Sequence, residues 1–205
     1  MKTRHVLAGA LKRNLFYGGD IRFGDRSVRY RVPRQAVRDG IVYVTEDRKL
    51  DGFFETMSIA RNIQMGHLAM GSNPLGLVSM AEAQQLAESW WKDLNIRAIG
   101  ADAKVLELSG GNQQKVVIAK SLVQNPRLVI FDEPTRGGDV GSIVEIHNFI
   151  NRLADSGIAV VVILSCLPEI LAPSDRILVA RQGQIVEEMR AAGATEERIM
   201  YAAVH

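Results

Sequence analysis

Leu108-Ser109-Gly110-Gly111-Asn112-Gln113-Gln114-Lys115, followed after an apolar run by Leu128-Val129-Ile130-Phe131-Asp132-Glu133-Pro134, decides how this chain of 205 residues is read. In the first element a serine hydroxyl and two glycine N–H groups stand where a helix begins. Backbone donors and the positive end of the helix dipole therefore face one spot. In the second, an apolar strand delivers two carboxylates to its carboxyl end, a place where a metal ion and an attacking water can be held. Each element alone has a bland reading: a glycine-rich turn entering a helix, and a strand stopped by Pro134 whose exposed end tolerates acids. Their order and spacing together point to phosphate chemistry.

Composition bounds the rest. With 47% hydrophobic residues and 25 Lys and Arg against 23 Asp and Glu, the chain reads as a globular protein able to bury one good core, and its net charge of +2 gives no argument for a nucleic-acid partner. Basic residues crowd the start, where Lys2, Arg4, Lys12, Arg13, Arg22, Arg26, Arg29, Arg31, Arg34 and Arg38 outnumber Asp20, Asp25 and Asp39. A solvated face of a small antiparallel sheet is the preferred reading of that excess. One cysteine, Cys166, allows no internal disulfide and fits a reducing compartment. No apolar run approaches membrane-spanning length, the amino terminus lacks a signal-peptide core, and His5, His67, His147 and His205 have no metal-ligand spacing.

Along the chain, Asp20 to Phe23 and Val28 to Arg31 alternate around Gly24-Asp25 and predict a β-hairpin. Pro33 opens a short helix through Arg38, Gly40 closes it, Ile41 to Val44 is a strand, and Glu46 to Asp51 is a charged loop. Ser58 to Leu68 allows a helix, 71–76 is turn punctuation, and Ser79 with Glu82 makes a capping box for a helix to Leu94. Residues 53–98 are thus a candidate helical lobe within one domain, 1–205. After Ser109 a helix runs through Val123 with Val116, Ile118 and Leu122 inward. Leu128 to Asp132 and Ile158 to Leu164 read as strands buried on both faces of a parallel sheet, joined by a helix over Ser142 to Ala154. A hairpin around Gln182-Gly183 and a helix capped by Thr195 complete an α/β pattern.

The pair LSGGNQQK and DEPTRG resembles the signature loop and Walker B strand of ATP-binding cassette (ABC) ATPases, in the wording of the sugar-importer branch. Gly19 to Arg22, Tyr43 to Lys49, Arg136-Gly137-Gly138-Asp139 and Leu167-Pro168-Glu169-Ile170 resemble further parts of the carboxyl-terminal cassette, the third of these being its D-loop. The resemblance implies a parallel-sheet core with a small antiparallel β subdomain and a helical lobe. It also implies a cassette truncated at its amino end, because no G-x-x-x-x-G-K-[ST] (Walker A) occurs in the 205 residues and Arg4 to Leu11 align just after it. Glu46 stands where the Q-loop glutamine is expected, Ser165 where the switch histidine is expected, and Gly138 where the D-loop is apolar.

In such cassettes two copies join head to tail around ATP. The resemblance therefore implies that Ser109, Gly110, Gly111, Asn112 and Gln113, with Asp139 nearby, meet ATP presented by a second cassette that carries a Walker A loop. Asp132 would be a Mg2+ ligand and Glu133 the water-orienting base only if nucleotide reached the chain's own site. It further implies transmembrane permease partners, a cytoplasmic position on the inner face of the membrane, and ATP hydrolysis coupled to sugar import only in the assembly. A catalytically inactive, degenerate cassette that docks through Phe53 to Leu68 is the alternative. An SMC- or repair-type ATPase head is a third reading, which the RKLDG and TRGGDVG wording disfavours.

Overall fold

A computed structural model describes residues 7–9, 20–68, 80–171 and 174–205. The chain divides into two compact units, residues 2–162 and 163–205. In the first, β1 (Arg22–Phe23) and β2 (Arg26–Ser27) form an antiparallel hairpin with Phe23 opposite Arg26. The second arm is thus shorter and earlier than the alternation at Val28 to Arg31 predicts. Val28 and Tyr30 are buried while Arg22, Arg26, Arg29, Arg31, Arg34 and Arg38 stay exposed, which gives the expected solvated basic face among the described residues.

Helix α1 (Pro33–Arg38) starts on Pro33, whose fixed φ suits a first turn, and ends at Asp39 before Gly40 at φ +84. Strand β3 (Ile41–Val44) then runs parallel to β4 (Leu128–Asp132), with Ile41 opposite Leu128 and Val44 opposite Phe131. The sheet order is β3-β4-β5, with β5 spanning Ala159–Ile163. Central β4 is the apolar, doubly covered strand its composition demands, with Val129 and Phe131 fully buried. Strand β5 differs from expectation: its residues are half-buried or exposed, whereas β3 at the other end of the same order is largely buried.

Helix α4 (Gly110–Leu122) packs on β3, and α2 (Ile59–Leu68), α3 (Met80–Asp93) and α5 (Val140–Asp155) pack on α4. Ser58 Oγ accepts from the Arg61 N–H at 3.3 Å to start α2, whereas Ser79 and the turn at 71–76 lie outside the described residues. Trp90 and Trp91 are partly buried against the main core, as packing anchors. That core gathers Ile59 and Ile63 of α2, Val116, Ile118 and Leu122 of α4, Phe131 of β4, and Ile146 and Ile150 of α5. Each such side chain contributes roughly 1.5–3 kcal/mol by leaving water.

The second unit is a β-hairpin with a helix on it. Strands β6 (Arg176–Arg181) and β7 (Gln184–Arg190) meet at Gln182-Gly183, both at positive φ, the geometry of a type I′ turn that matches strand twist. Helix α6 (Leu167–Leu171) precedes them. Thr195 caps α7 (Glu196–Val204) by accepting from the Arg198 N–H at 3.2 Å, and Ile199 and Ala202 cover Ile177, Val179 and Met189.

One approach in the first unit admits no side chain. A Cβ on Gly66 would lie 1.8 Å from the Lys120 carbonyl oxygen, so the α2 and α4 backbones touch there. Gly66→Ala is therefore expected to destabilise the protein by about 3 kcal/mol or more, since backbone cannot step aside as a side chain can. Urea unfolding followed by circular dichroism reads this, and a midpoint equal to that of the parent protein would contradict the packing described.

Candidate functional site

The strand ends and helix starts of the first unit assemble the candidate site. Residues 105–108 form a short 3-10 turn and an extended Leu108, after which Ser109 takes extended dihedrals and α4 begins at Gly110. Ser109 is exposed and its hydroxyl does not cap the helix; it accepts from Asn112 Nδ2 at 2.9 Å. Asn112 is itself held, because its Oδ1 accepts from the Arg97 N–H at 2.9 Å. Gln113 is 6% exposed, and its amide donates to the Leu108 carbonyl at 3.1 Å and to Val105 at 3.3 Å. Its side chain thus stabilises the loop that presents Ser109 and points no donor outward.

The glycines are dictated by neighbours. A Cβ on Gly111 would lie 2.3 Å from Ser142 Oγ and 2.8 Å from Ser142 Cβ, so α4 and α5 meet start to start. A Cβ on Gly110 would lie 2.8 Å from Arg48 Nη2 and 3.3 Å from the Gly137 carbonyl oxygen. Asp139 caps α5 by accepting from the Ser142 N–H at 2.9 Å and its hydroxyl at 3.0 Å, and these two donors hold its carboxyl below the usual carboxylate range. The structure therefore brings Ser109 to Asn112, Gly137 and Asp139 to one corner. Helix α5 begins two residues before the expected Ser142, because Asp139 supplies the cap and Ser142 becomes its third helical residue.

Asp132 and Glu133 end β4. Asp132 is fully buried, and the Tyr43 hydroxyl of β3 donates to its Oδ2 at 2.5 Å. Glu133 sits at φ +47, a left-handed conformation that non-glycine residues adopt at a cost, and turns the chain sharply toward Thr135 to Gly138. Among the described residues no group of three or more His, Cys, Asp or Glu is placed to hold a metal ion.

Sequence reasoning missed Tyr43, Arg48, Lys115, Ser142 and Glu145. Residues 46–51, read as a charged loop, contain a π-helical turn over Arg48–Gly52 whose start is capped by Asp47, which accepts from the Leu50 N–H at 3.1 Å. Arg48 Nη1 donates to the Arg136 carbonyl at 2.8 Å. Lys115, 4% exposed at its side chain, pairs with Glu145 of α5 and donates to the Asn95 carbonyl at 2.9 Å. Lysine at that point of an apolar helix signals a buried partner, but only the fold names Glu145. The Lys115 hydrogen bond first, then its charge, holds the Glu145 carboxyl below its usual range.

Set beside known proteins, the chain matches a family model described as ABC transporter over residues 5–136. It is 44% identical over 182 residues to the ribose import ATP-binding protein RbsA 2 of Agrobacterium fabrum, covering 89% of this chain and 36% of that protein. To the xylose import ATP-binding protein XylG of Pectobacterium atrosepticum it is 41% identical over 203 residues, 99% of this chain and 39% of that one. The chain thus spans little more than a third of the length of these curated relatives. In structure it resembles MJ1267, an ATP-binding cassette of an ABC transporter, with TM-score 0.77 and 27% identity over 96% of this chain and 76% of that one. The ATP-binding cassette MJ0796, crystallised as a dimer with ADP and Pi, shares the fold with TM-score 0.77 at 20% identity, over 94% and 81%.

Two outcomes follow from this geometry. Gly111→Ala should destabilise more than Gly110→Ala in denaturant titrations, because Ser142 Cβ is fixed on α5 whereas the Arg48 fork can swing away; the reverse order would refute the packing. Glu145→Gln should cost about 2–3 kcal/mol near neutral pH by stranding buried Lys115, and more than Lys115→Met does, since the Glu145 left behind is 35% exposed. Because the folded-state pKa of Glu145 is lowered, the parent protein keeps this contribution above the ordinary carboxylate range and loses it as acid titrates Glu145. The gap between parent and Glu145→Gln should therefore close at low pH, and a gap that widens in acid would contradict the assignment.

Proposed function

Since the chain belongs to the ABC transporter family, we propose that it supplies the signature half of a composite ATP site, closing on nucleotide that a second cassette presents. The observation that carries this reading is the corner at the start of α4, where an exposed serine hydroxyl, glycine backbone and a helix N-terminus converge. Such donors, held in place before any ligand arrives, stabilise charge that develops on a transferring phosphoryl group. Ser109, Gly110, Gly111 and Asn112 do the contacting. Gln113 supports the loop from behind, and Asp139 orders the start of α5 behind Gly111.

A second cassette is invoked by likeness to MJ0796, a cassette of this fold whose structure with ADP and Pi is dimeric. Its phosphate loop would hold the β- and γ-phosphates, and this chain would complete the enclosure. The sugar-import names of the relatives support ribose- or xylose-type import as the process served, with transmembrane permease subunits as further partners at the inner face of the membrane. Among the described residues no helix is long and apolar enough to cross a membrane.

Mg2+ accompanies nucleotide in such chemistry and lends charge neutralisation. In this chain Asp132 would hold it and Glu133 would orient water, but only with nucleotide at the chain's own site. The Tyr43 hydroxyl holds one oxygen of the Asp132 carboxylate. The same contact favours a second reading, in which Asp132 and Glu133 are structural and the chain is a degenerate cassette that holds shape.

ATPase turnover of the assembled complex separates the two. Ser109→Ala, which deletes one donor, is expected to lower kcat by about 100- to 1000-fold, the range of a lost transition-state donor. Glu133→Gln is expected to leave turnover at the composite site intact. Unchanged turnover on Ser109→Ala favours the shape-holding reading, and loss on Glu133→Gln would show that the chain's own site is used.

A further inference from the structure

We infer that Arg48 is a positioning residue which locks the loop at Arg136-Gly137 to the glycine corner at Gly110-Gly111, so that this loop and the corner move as one body. The inference rests on the proposed role of the corner, and it is carried by contacts that role does not use. One arm of the guanidinium, Nη1, donates to the Arg136 carbonyl at 2.8 Å. The other arm, Nη2, occupies the space where a side chain on Gly110 would begin, 2.8 Å from that Cβ, and lies 3.5 Å from one on Gly137. The planar fork is therefore wedged between two glycine backbones that belong to different loops.

Its own base is rigid. The π-helical turn that carries Arg48 is capped by Asp47, whose own N–H donates to Thr45 Oγ1 at 3.2 Å. At the other end of the turn, a Cβ on Gly52 would lie 2.8 Å from Val117 Cγ2 of α4, so the turn is pressed against that helix. A second tie runs parallel: the Glu46 carboxylate lies 3.6 Å from Arg136 Nη1. The segment after β3 thus grips residues 136–137 twice and touches the first residue of α4 once.

The arrangement is costly in ways that packing alone does not explain. A cation beside a helix start opposes the helix dipole, so Arg48 works against α4 while raising the positive potential where an anion would arrive. Arg48 Nε is buried and meets no acceptor among the described residues. Gln114 Nε2, on the α4 face shared with Gly110 and Val117, is likewise buried without one. Buried donors left without acceptors are uncommon in settled cores. Lysine cannot reproduce the wedge, because a single ammonium cannot reach the Arg136 carbonyl and underlie both glycines together.

The test compares Arg48→Ala, Arg48→Lys and Ser109→Ala with the parent protein. Amide hydrogen exchange is measured on the isolated chain, and ATPase kinetics on the complex assembled with a cassette that carries a phosphate loop. Arg48→Ala should speed exchange at 109–112 and at 136–139 together while β4 amides keep their protection, and circular dichroism should report an intact fold. In the complex, kcat should fall by about tenfold or more with KM for ATP little changed, since misplacement of a supporting shell costs turnover rather than capture. Arg48→Lys should recover part of kcat and part of the protection. Faster exchange in only one of the two loops, or in neither, overturns the inference. So does full turnover in Arg48→Ala when Ser109→Ala is impaired, and that result leaves the reading of the corner standing. Full turnover in Ser109→Ala instead sinks the reading of the corner, and the role of Arg48 in turnover falls with it.

Discussion

Helix α4 is buried on nearly every side, and the arrangement of residues 20–162 depends on how that helix is accommodated. Ten of its thirteen residues are buried, including Gln113, Gln114, Lys115 and Ser121. Helices α2, α3 and α5, strand β3 and the turn at Arg48–Gly52 all contact it. An all-round helix cannot turn its polar groups to solvent, and three of these four side chains are answered within the protein. The Gln113 amide bonds carbonyls of the preceding loop, Ser121 Oγ donates to the Val117 carbonyl at 2.8 Å, and Lys115 pairs with Glu145. Where answers by side chains do not fit, side chains are absent: Gly66 and Gly111 let α2 and α5 approach the α4 backbone. With its body clamped this way, the start of α4 has one position available, and the serine and glycines inherit that rigidity.

The same clamp separates two kinds of acidic group. Asp139 lies at the rim, where Ser142 keeps it ionised and committed to capping. Asp132 is enclosed at the end of β4, with Tyr43 as partner. Between them the chain turns through Glu133 at φ +47, a strained residue followed by a tight loop that Arg48 and Glu46 hold from outside. Preorganisation of this sort suits a surface that must meet a charged group without rearranging. It also accounts for the density of Gly, Ser and Asp between 109–111 and 137–142, where backbone must come close to backbone.

Much of this was legible from pattern. A continuous apolar run announces β4 because a doubly covered parallel strand needs one, Ile41 to Val44 reads as β3, and Pro33, Gly40, Thr195 and Gln182-Gly183 mark ends and turns through their backbone preferences. The Ser109 to Gln113 stretch stands out through its order and spacing with the strand that ends in Asp132-Glu133, since either element alone reads as an ordinary turn or strand end. Three things were not visible. The charge-rich 46–51 conceals a π-helical turn whose stability comes from Asp47 and from contact with α4, neither of which periodicity records. The pairing of Lys115 with Glu145 spans 30 residues and exists only after α5 docks. Strand β5 carries the residues of a buried strand yet is only partly covered, because the elements that would lie on its faces are a property of packing and not of composition.

The account stands on the corner at Ser109 acting on nucleotide that another polypeptide presents. Its most direct test is equilibrium binding of a fluorescent ATP analogue to three samples: this chain, a hydrolysis-deficient cassette that carries a phosphate loop, and their mixture. No saturable binding to this chain alone, together with affinity in the mixture about tenfold or more above that of the partner cassette, about 1.4 kcal/mol of coupling, is the outcome expected. Tight, stoichiometric binding by this chain alone, or a mixture that binds no better than the partner cassette, would contradict it.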